Sequence, residues 1–171
     1  TYAVKEVKGN LSAYTYDTAE RIIKVTVTDV SGQLQAVWTV DGALASYITF
    51  TNVYTPKPVT IQIPVEKKIT GSQRPAEKET FRFTLTPTGT APASERDVIT
   101  ITDVGQRSFG NITFEEPGTY YYTVKETSGT AAGYTYDNTS KSVRVVVTDN
   151  NGLLTAKWTV GGDTADAVVY S

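Results

Sequence analysis

Apolar and polar residues alternate with a period of two over most of the chain. Segments 23–28, 59–69, 81–85, 98–101, 120–125, 143–148 and 154–160 are rich in β-branched and aromatic residues at every other position. Such alternation marks strands with one buried and one solvated face. Turn-forming residues separate the segments at short, regular spacing, as an all-β sandwich requires. Val30-Ser31-Gly32 and Asn150-Asn151-Gly152 each lie between two such segments and predict hairpin turns. No stretch carries a helical period with caps at its ends. The pattern predicts an all-β fold of immunoglobulin-like β-sandwich domains, with about seven or more strands in each.

The same pattern occurs twice. Tyr2-Ala3-Val4-Lys5-Glu6 returns as Tyr122-Thr123-Val124-Lys125-Glu126, 120 positions on (122 − 2). Tyr14-Thr15-Tyr16-Asp17 returns as Tyr134-Thr135-Tyr136-Asp137, Val27-Thr28-Asp29 as Val147-Thr148-Asp149, and Trp38-Thr39-Val40 as Trp158-Thr159-Val160, all at the same interval. A pitch of this length is that of a whole domain, which runs to about 100–150 residues. The expected organisation is tandem: 1–56 as the C-terminal half of a first repeat, 57–171 as a nearly complete second. The junction Tyr54-Thr55-Pro56-Lys57-Pro58 is a short, proline-stiffened linker, so intact repeats are expected to stack as a rod. A lone half-domain leaves a sheet without a cover, and sheets of that size are marginal. Either a neighbouring chain supplies strands, as in donor-strand complementation, or the chain is a window of a longer array.

Alternation also singles out polar residues in apolar company. Val59, Ile61, Ile63, Val65, Lys67 and Ile69 share one strand face, whereas Thr60, Gln62, Glu66, Lys68 and Thr70 share the other, broken only by Pro64. Lys67 thus falls inside an apolar stripe while Lys68 points to water. The same parity places Glu126 in line with Tyr122 and Val124, Glu6 with Tyr2 and Val4, and Asn52 with Ile48 and Phe50. A long lysine at a strand end can carry its head to solvent. A Lys, a Glu and an Asn on the first, a middle and the last strand of one repeat are instead expected to meet, because burial without partners is costly.

Composition narrows the chemistry. The 171 residues are 39% hydrophobic and 20% charged, with net charge -2 and both signs scattered. That balance suggests neither a nucleic-acid groove nor a polybasic membrane patch, and no apolar run approaches the roughly 20 residues of a membrane-spanning helix. The chain has no Cys, His or Met. Disulfides, thiolate nucleophiles, Cys-ligated zinc and the commonest general base are therefore unavailable. The missing initiator Met suggests a window of a longer protein.

Other motifs carry less. Asp149-Asn150-Asn151-Gly152 opens like a calcium loop, but position 12 of that loop needs Glu and is Val160 here, so the segment is read as a turn. Asn10-Leu11-Ser12, Asn111-Ile112-Thr113 and Asn138-Thr139-Ser140 match the glycosylation sequon, which arises often by chance. Tyr120, Tyr121 and Tyr122 must divide between two sheet faces. They are read as covering the sandwich rather than as a sugar-binding strip.

Taken in order, Lys67-Lys68-Ile69-Thr70-Gly71, Phe81-Arg82-Phe83-Thr84-Leu85, Gly118-Thr119-Tyr120-Tyr121-Tyr122-Thr123-Val124-Lys125-Glu126, Tyr136-Asp137, Val145-Val146-Val147-Thr148-Asp149 and Ile48-Thr49-Phe50-Thr51-Asn52-Val53-Tyr54 resemble the streptococcal T-antigen pilin family. The resemblance covers essentially the whole chain. It implies a collagen-adhesin B-type, immunoglobulin-like sandwich that builds pilus shafts and adhesin stalks on Gram-positive bacteria. It further implies a spontaneous Lys–Asn isopeptide bond between first and last strands, promoted by a buried Glu. Matched motif by motif, the crosslinking residues are Lys67 and Asn52, and the promoting acids are Glu126 and Glu6.

The expected chemistry follows from burial. Desolvation disfavours the charged amine, making lysine a nucleophile, and a Glu kept protonated is expected to hydrogen-bond the Asn carbonyl and shuttle protons as ammonia leaves. This is one self-modification per molecule, not enzymatic turnover, and it needs no cofactor or metal. Ser171 aligns with Thr51, so the parent protein is expected to continue with Asn, and the lysine of the first repeat is expected to precede Thr1. The expected partners are neighbouring repeats or adjacent protomers, with host surface molecules reached through other domains. The expected location is the cell-wall-anchored surface of a Gram-positive bacterium. Lys57 is a weak candidate for sortase-mediated joining. A host glycan- or matrix-binding adhesin module is the alternative function, but it calls for the same exposed aromatics in both repeats, and Tyr47 aligns with Ala167.

Overall fold

The computed structural model describes residues 1–71 and 73–171. The described residues form strands, turns and loops, with no helix, and so none long and apolar enough to cross a membrane. The chain divides into two compact units, Thr1–Thr55 and Pro56–Ser171.

Unit 1 contains β1 (Tyr2–Lys5), β2 (Tyr14–Thr15), β3 (Glu20–Val30), β4 (Gln33–Val40), β5 (Ala43–Leu44) and β6 (Val53–Tyr54). Its main sheet has the order β1-β3-β4-β5, and β2 pairs separately with β6. Ser31 and Gly32, both at positive φ (57° and 84°), close the β3–β4 hairpin. Two positive values are what a two-residue turn needs if its twist is to match the strands. The Asp29 carboxylate accepts the Gly32 N–H at 2.8 Å and locks the corner.

Unit 2 contains β7 (Val59–Ile61), β8 (Pro64–Lys67), β9 (Thr80–Thr88), β10 (Val98–Thr102), β11 (Gly105–Ser108), β12 (Ile112–Phe114), β13 (Gly118–Thr127), β14 (Ser140–Asn150), β15 (Leu153–Val160), β16 (Asp163–Thr164) and β17 (Val168–Tyr170). A six-stranded sheet, β10-β9-β13-β14-β15-β16, faces a second layer made of β11-β8-β17 and β12-β7. This is an immunoglobulin-like β-sandwich. One layer sends Phe81, Phe83, Leu85, Tyr122, Val124, Val143, Val145 and Val147 inward, and the other Ile63, Val65, Ile112, Phe114, Val168 and Tyr170. Hydrophobic burial on this scale holds the layers together.

Two expectations need correction. Segment 59–69 is not one strand: β7 pairs with β12, while β8 pairs with β11 and β17. Pro64, which has no N–H to give a ladder, stands where the chain changes partners. Alternation survives the break, with Ile63, Val65 and Lys67 buried and Lys68 exposed. Residues 48–52 form no strand in unit 1, whereas Val168–Tyr170 does in unit 2, where β8 supplies its ladder. An extended segment without a neighbour has no ladder to join.

The lesser motifs find structural places. Asp149 accepts the Gly152 N–H at 2.7 Å, and Asn151 and Gly152 turn the β14–β15 hairpin at φ 54° and 90°. Asn111 bridges Gln62 and Glu95. Tyr122 is buried with its hydroxyl on the Pro92 carbonyl, Tyr120 packs on Phe114, and Tyr121 is exposed.

Candidate functional site

Lys67 ends β8, whose inward positions are Val65 and Lys67. The parallel register with β17 sets it opposite Tyr170. Glu126 lies on β13, on the face that also buries Tyr122 and Val124. Lys67 Nζ stands 3.1 Å from both Glu126 carboxylate oxygens, and the two side chains are 1% and 0% exposed. Nζ donates to Oε2, and Oε1 makes no hydrogen bond among the described residues. The ammonium also sits 4.4 Å from the Phe81 ring centroid, an attractive cation–π placement. Tyr170 donates its hydroxyl to the Val124 carbonyl at 2.6 Å. That bond ties the last strand to the strand carrying Glu126.

Burial pushes the Glu126 carboxyl above its ordinary value, and the hydrogen bond and charge of Lys67 oppose the rise. Beside the pair opens a cleft of about 530 Å³, lined by Lys67, Ile69, Phe81, Tyr134, Tyr136 and Ser171 among others. No asparagine lines it among the described residues.

Unit 1 holds the complementary arrangement. Asn52 Nδ2 donates to Glu6 Oε1 at 2.7 Å, and the Asp17 backbone N–H donates to Asn52 Oδ1 at 2.8 Å. Glu6 Oε2 is buried and makes no hydrogen bond among the described residues. The amide is oriented by chemistry, since a backbone N–H facing Nδ2 would set donor against donor. Glu6 therefore addresses the amide nitrogen. In unit 1 the Asn52 carbonyl accepts the Asp17 N–H.

Asp17 is the residue that sequence reasoning missed. Its carboxylate accepts the backbone N–H groups of Ala19 (2.9 Å) and Thr51 (3.2 Å) and meets Arg21 at 3.3 Å. The two backbone donors hold its pKa below the usual carboxylate range. The carboxylate thus anchors the loop whose N–H grips Asn52. A signal was present, because Tyr16-Asp17 recurs as Tyr136-Asp137, but it served only to mark the repeat.

The four residues singled out by alternation therefore fall into two pairs, Lys67 with Glu126 in unit 2 and Glu6 with Asn52 in unit 1. Neither unit alone holds a complete lysine–glutamate–asparagine set.

Unit 2 is thus a β-sandwich that seals a lysine–carboxylate pair between its two layers. Its family is explicit: residues 1–55 and 63–170 match the FctA model, described as a Spy0128-like isopeptide-containing domain, and the chain belongs to that family. Comparison with curated proteins finds no match. FctA domains are pilin domains, so the role is structural, in the pilus shaft, and the setting is that of extracellular surface pili of Gram-positive bacteria.

Proposed function

We propose that this protein is a shaft or stalk module, anchored at the cell wall, whose sandwich is stiffened by an autocatalytic Lys–Asn isopeptide bond. The observation that carries this reading is the sealed Lys67–Glu126 pair, with Nζ 3.1 Å from the carboxylate and a cleft beside it. One proton passing from Lys67 to Glu126 turns the ion pair into a neutral amine and a neutral acid. The amine Nζ attacks the side-chain Cγ of an asparagine at the position Asn52 holds in the repeat. The C–N bond to Nζ forms, the bond from Cγ to Nδ2 breaks, and Nδ2 leaves as ammonia after taking a proton through the carboxyl group. A backbone N–H placed as that of Asp17 is on Asn52 Oδ1 stabilises negative charge growing on the carbonyl oxygen. Packed strands supply the orientation that this sluggish amide exchange needs.

The test is intact mass. A chain extended by one asparagine after Ser171 is expected to weigh about 17 Da less than its sequence mass, the loss of one ammonia. Glu126→Ala in that chain abolishes the loss while the domain still folds, and Lys68→Ala leaves it unchanged. An extended chain that folds and keeps its full sequence mass overturns the reading.

A further inference from the structure

The corner that carries Asp17 is built twice, and alike. Asp17 and Asp137 stand 120 positions apart (137 − 17), and each side chain is 15% exposed. Each carboxylate accepts the backbone N–H two residues on, Ala19 at 2.9 Å and Thr139 at 3.0 Å. Each also meets a cation four residues on, Arg21 at 3.3 Å and Lys141 at 3.5 Å, themselves 31% and 30% exposed. That cation lies over an aromatic ring near the end of the repeat. Arg21 is 5.8 Å from the centroid of Phe50, and Lys141 Nζ is 5.2 Å from that of Tyr170. The tyrosine before each aspartate rests on a glycine, Tyr16 on Gly9 and Tyr136 on Gly129, so closely that a Cβ there would overlap the phenol. The sheets of the two units differ widely in cover, with Tyr2 65% exposed and Tyr122 1%. The corner is the same in both, so its geometry is set by its own residues and not by the strands that cover the sheet.

From this corner two contacts reach the asparagine. The Asp17 carboxylate accepts the N–H of Thr51, the residue before Asn52, at 3.2 Å, and the Asp17 N–H donates to Asn52 Oδ1 at 2.8 Å. One residue thus holds the asparagine both by the backbone and by the carbonyl, while Glu6 takes Nδ2. Held on three sides, Cγ presents a fixed face to an attacking amine. In unit 2 the Asp137 backbone N–H is among the groups that oppose the rise of the Glu126 carboxyl. The equivalent donor therefore stands at the lysine–glutamate pair. Tyr136 packs on Phe81 with ring centroids 5.7 Å apart, and Phe81 is the ring beneath Lys67 Nζ.

We propose that Asp137, clamped by Lys141, is a positioning residue for the isopeptide step of unit 2, as Asp17 clamped by Arg21 is in its own repeat. The inference rests on the Lys–Asn chemistry of the preceding section. Asp137 itself exchanges no proton in that step. The Thr139 hydroxyl and N–H keep its carboxylate ionised, and the carboxylate holds the backbone just before the asparagine. The N–H of the same residue then lies on the carbonyl oxygen as negative charge grows there. A donor already in place costs no reorganisation at that moment.

The test follows ammonia loss by intact mass as the asparagine-extended chain refolds from urea, with rates taken per folded molecule. Asp137→Asn keeps the size of the side chain but turns an amide N–H toward a donor. It is expected to slow the loss about 100-fold, the order of penalty for a small misplacement of reacting groups. Asp137→Glu keeps both acceptor oxygens and is expected to react faster than Asp137→Asn; a corner that mattered only for its shape would give the opposite order and overturn the inference. Gly152→Val strains the hairpin at the far end of β14 from Lys141 and is expected to keep the parent rate. If it is slowed as much as Asp137→Asn, lost stability explains the effect and the inference fails. Lys141→Met, which takes the cation from the carboxylate, is expected to slow the loss too. It decides the matter if Asp137→Asn does not fold, and the parent rate in Lys141→Met then overturns the clamp. The two readings fail differently. An unaltered extended chain that keeps its full sequence mass sinks the isopeptide reading and this inference with it. If that chain loses ammonia and folded Asp137→Asn keeps pace, only the positioning role falls.

Discussion

Removing one member of the Lys67–Glu126 pair strands the other in a dry core. Glu126→Ala is expected to cost about 3–5 kcal/mol, measured by urea unfolding, because the lysine is left buried and unpaired. Replacing both at once, Lys67→Met with Glu126→Leu, is expected to be neutral or stabilising by about 1–4 kcal/mol, since the desolvation cost of both charges disappears. A double variant as unstable as the single one would show that the pair itself supports the fold. Glu126 also sets a pH dependence. Its carboxyl is raised above the ordinary 4.5 in the folded state, so between the two values the native protein holds the extra proton. Its contribution to stability is full below 4.5 and is lost as pH rises through the folded value. Asp137 works in the opposite sense. The Thr139 hydroxyl and backbone N–H hold its pKa below the ordinary 3.8, so its contribution is present above 3.8 and lost as pH falls. Glu126→Gln is expected to flatten the decline of the urea midpoint above pH 4.5 while leaving the acid limb in place.

Elements show why some features were legible in the sequence and others were not. Lys67, Glu126 and Glu6 were legible because strict alternation within a strand assigns each side chain a face, and burial in unit 2 follows that assignment. Strand β11 was not, because Gly105-Gln106-Arg107-Ser108 carries no apolar alternation and is a strand only by pairing with β8. Nor was the division of 59–69, since Ile61 and Ile63 keep their inward parity while their ladders belong to different partners. The grip of Asp17 on Asn52 runs through a backbone N–H, which no side-chain pattern reports. The hairpins were legible because their corners need positive φ. Gly152 at φ 90° is the demanding position, and Gly152→Val is expected to destabilise unit 2 by about 1–2 kcal/mol in urea unfolding. Asn151 tolerates its φ of 54°, as asparagine does more readily than most residues.

At the scale of the whole molecule, equivalent ladders with unequal cover should differ in protection. Amides of Ile23, Val25 and Val27 are expected to exchange with deuterated water much faster than those of Val143, Val145 and Val147. Their pairing partners correspond, but only the second set lies beneath a packed layer. Equal protection in the two sets would mean that unit 1 is covered in solution. A last consequence concerns tension. β8 and β17 are neighbours and run parallel, with Val65, Glu66 and Tyr170 in register against Val168, Val169 and Lys67 and the Lys68 N–H on the Tyr170 carbonyl. Pulling the start of β8 away from the end of β17 slides one strand along the other, so the rungs between them are strained together instead of unzipping singly. Lys67 lies at the far end of that ladder. A bond from its Nζ to the chain just beyond Tyr170 would divert the load from the ladder into a covalent bridge. The loop from β9 to β16 would then bear no force, and unit 2 would transmit a pull without lengthening.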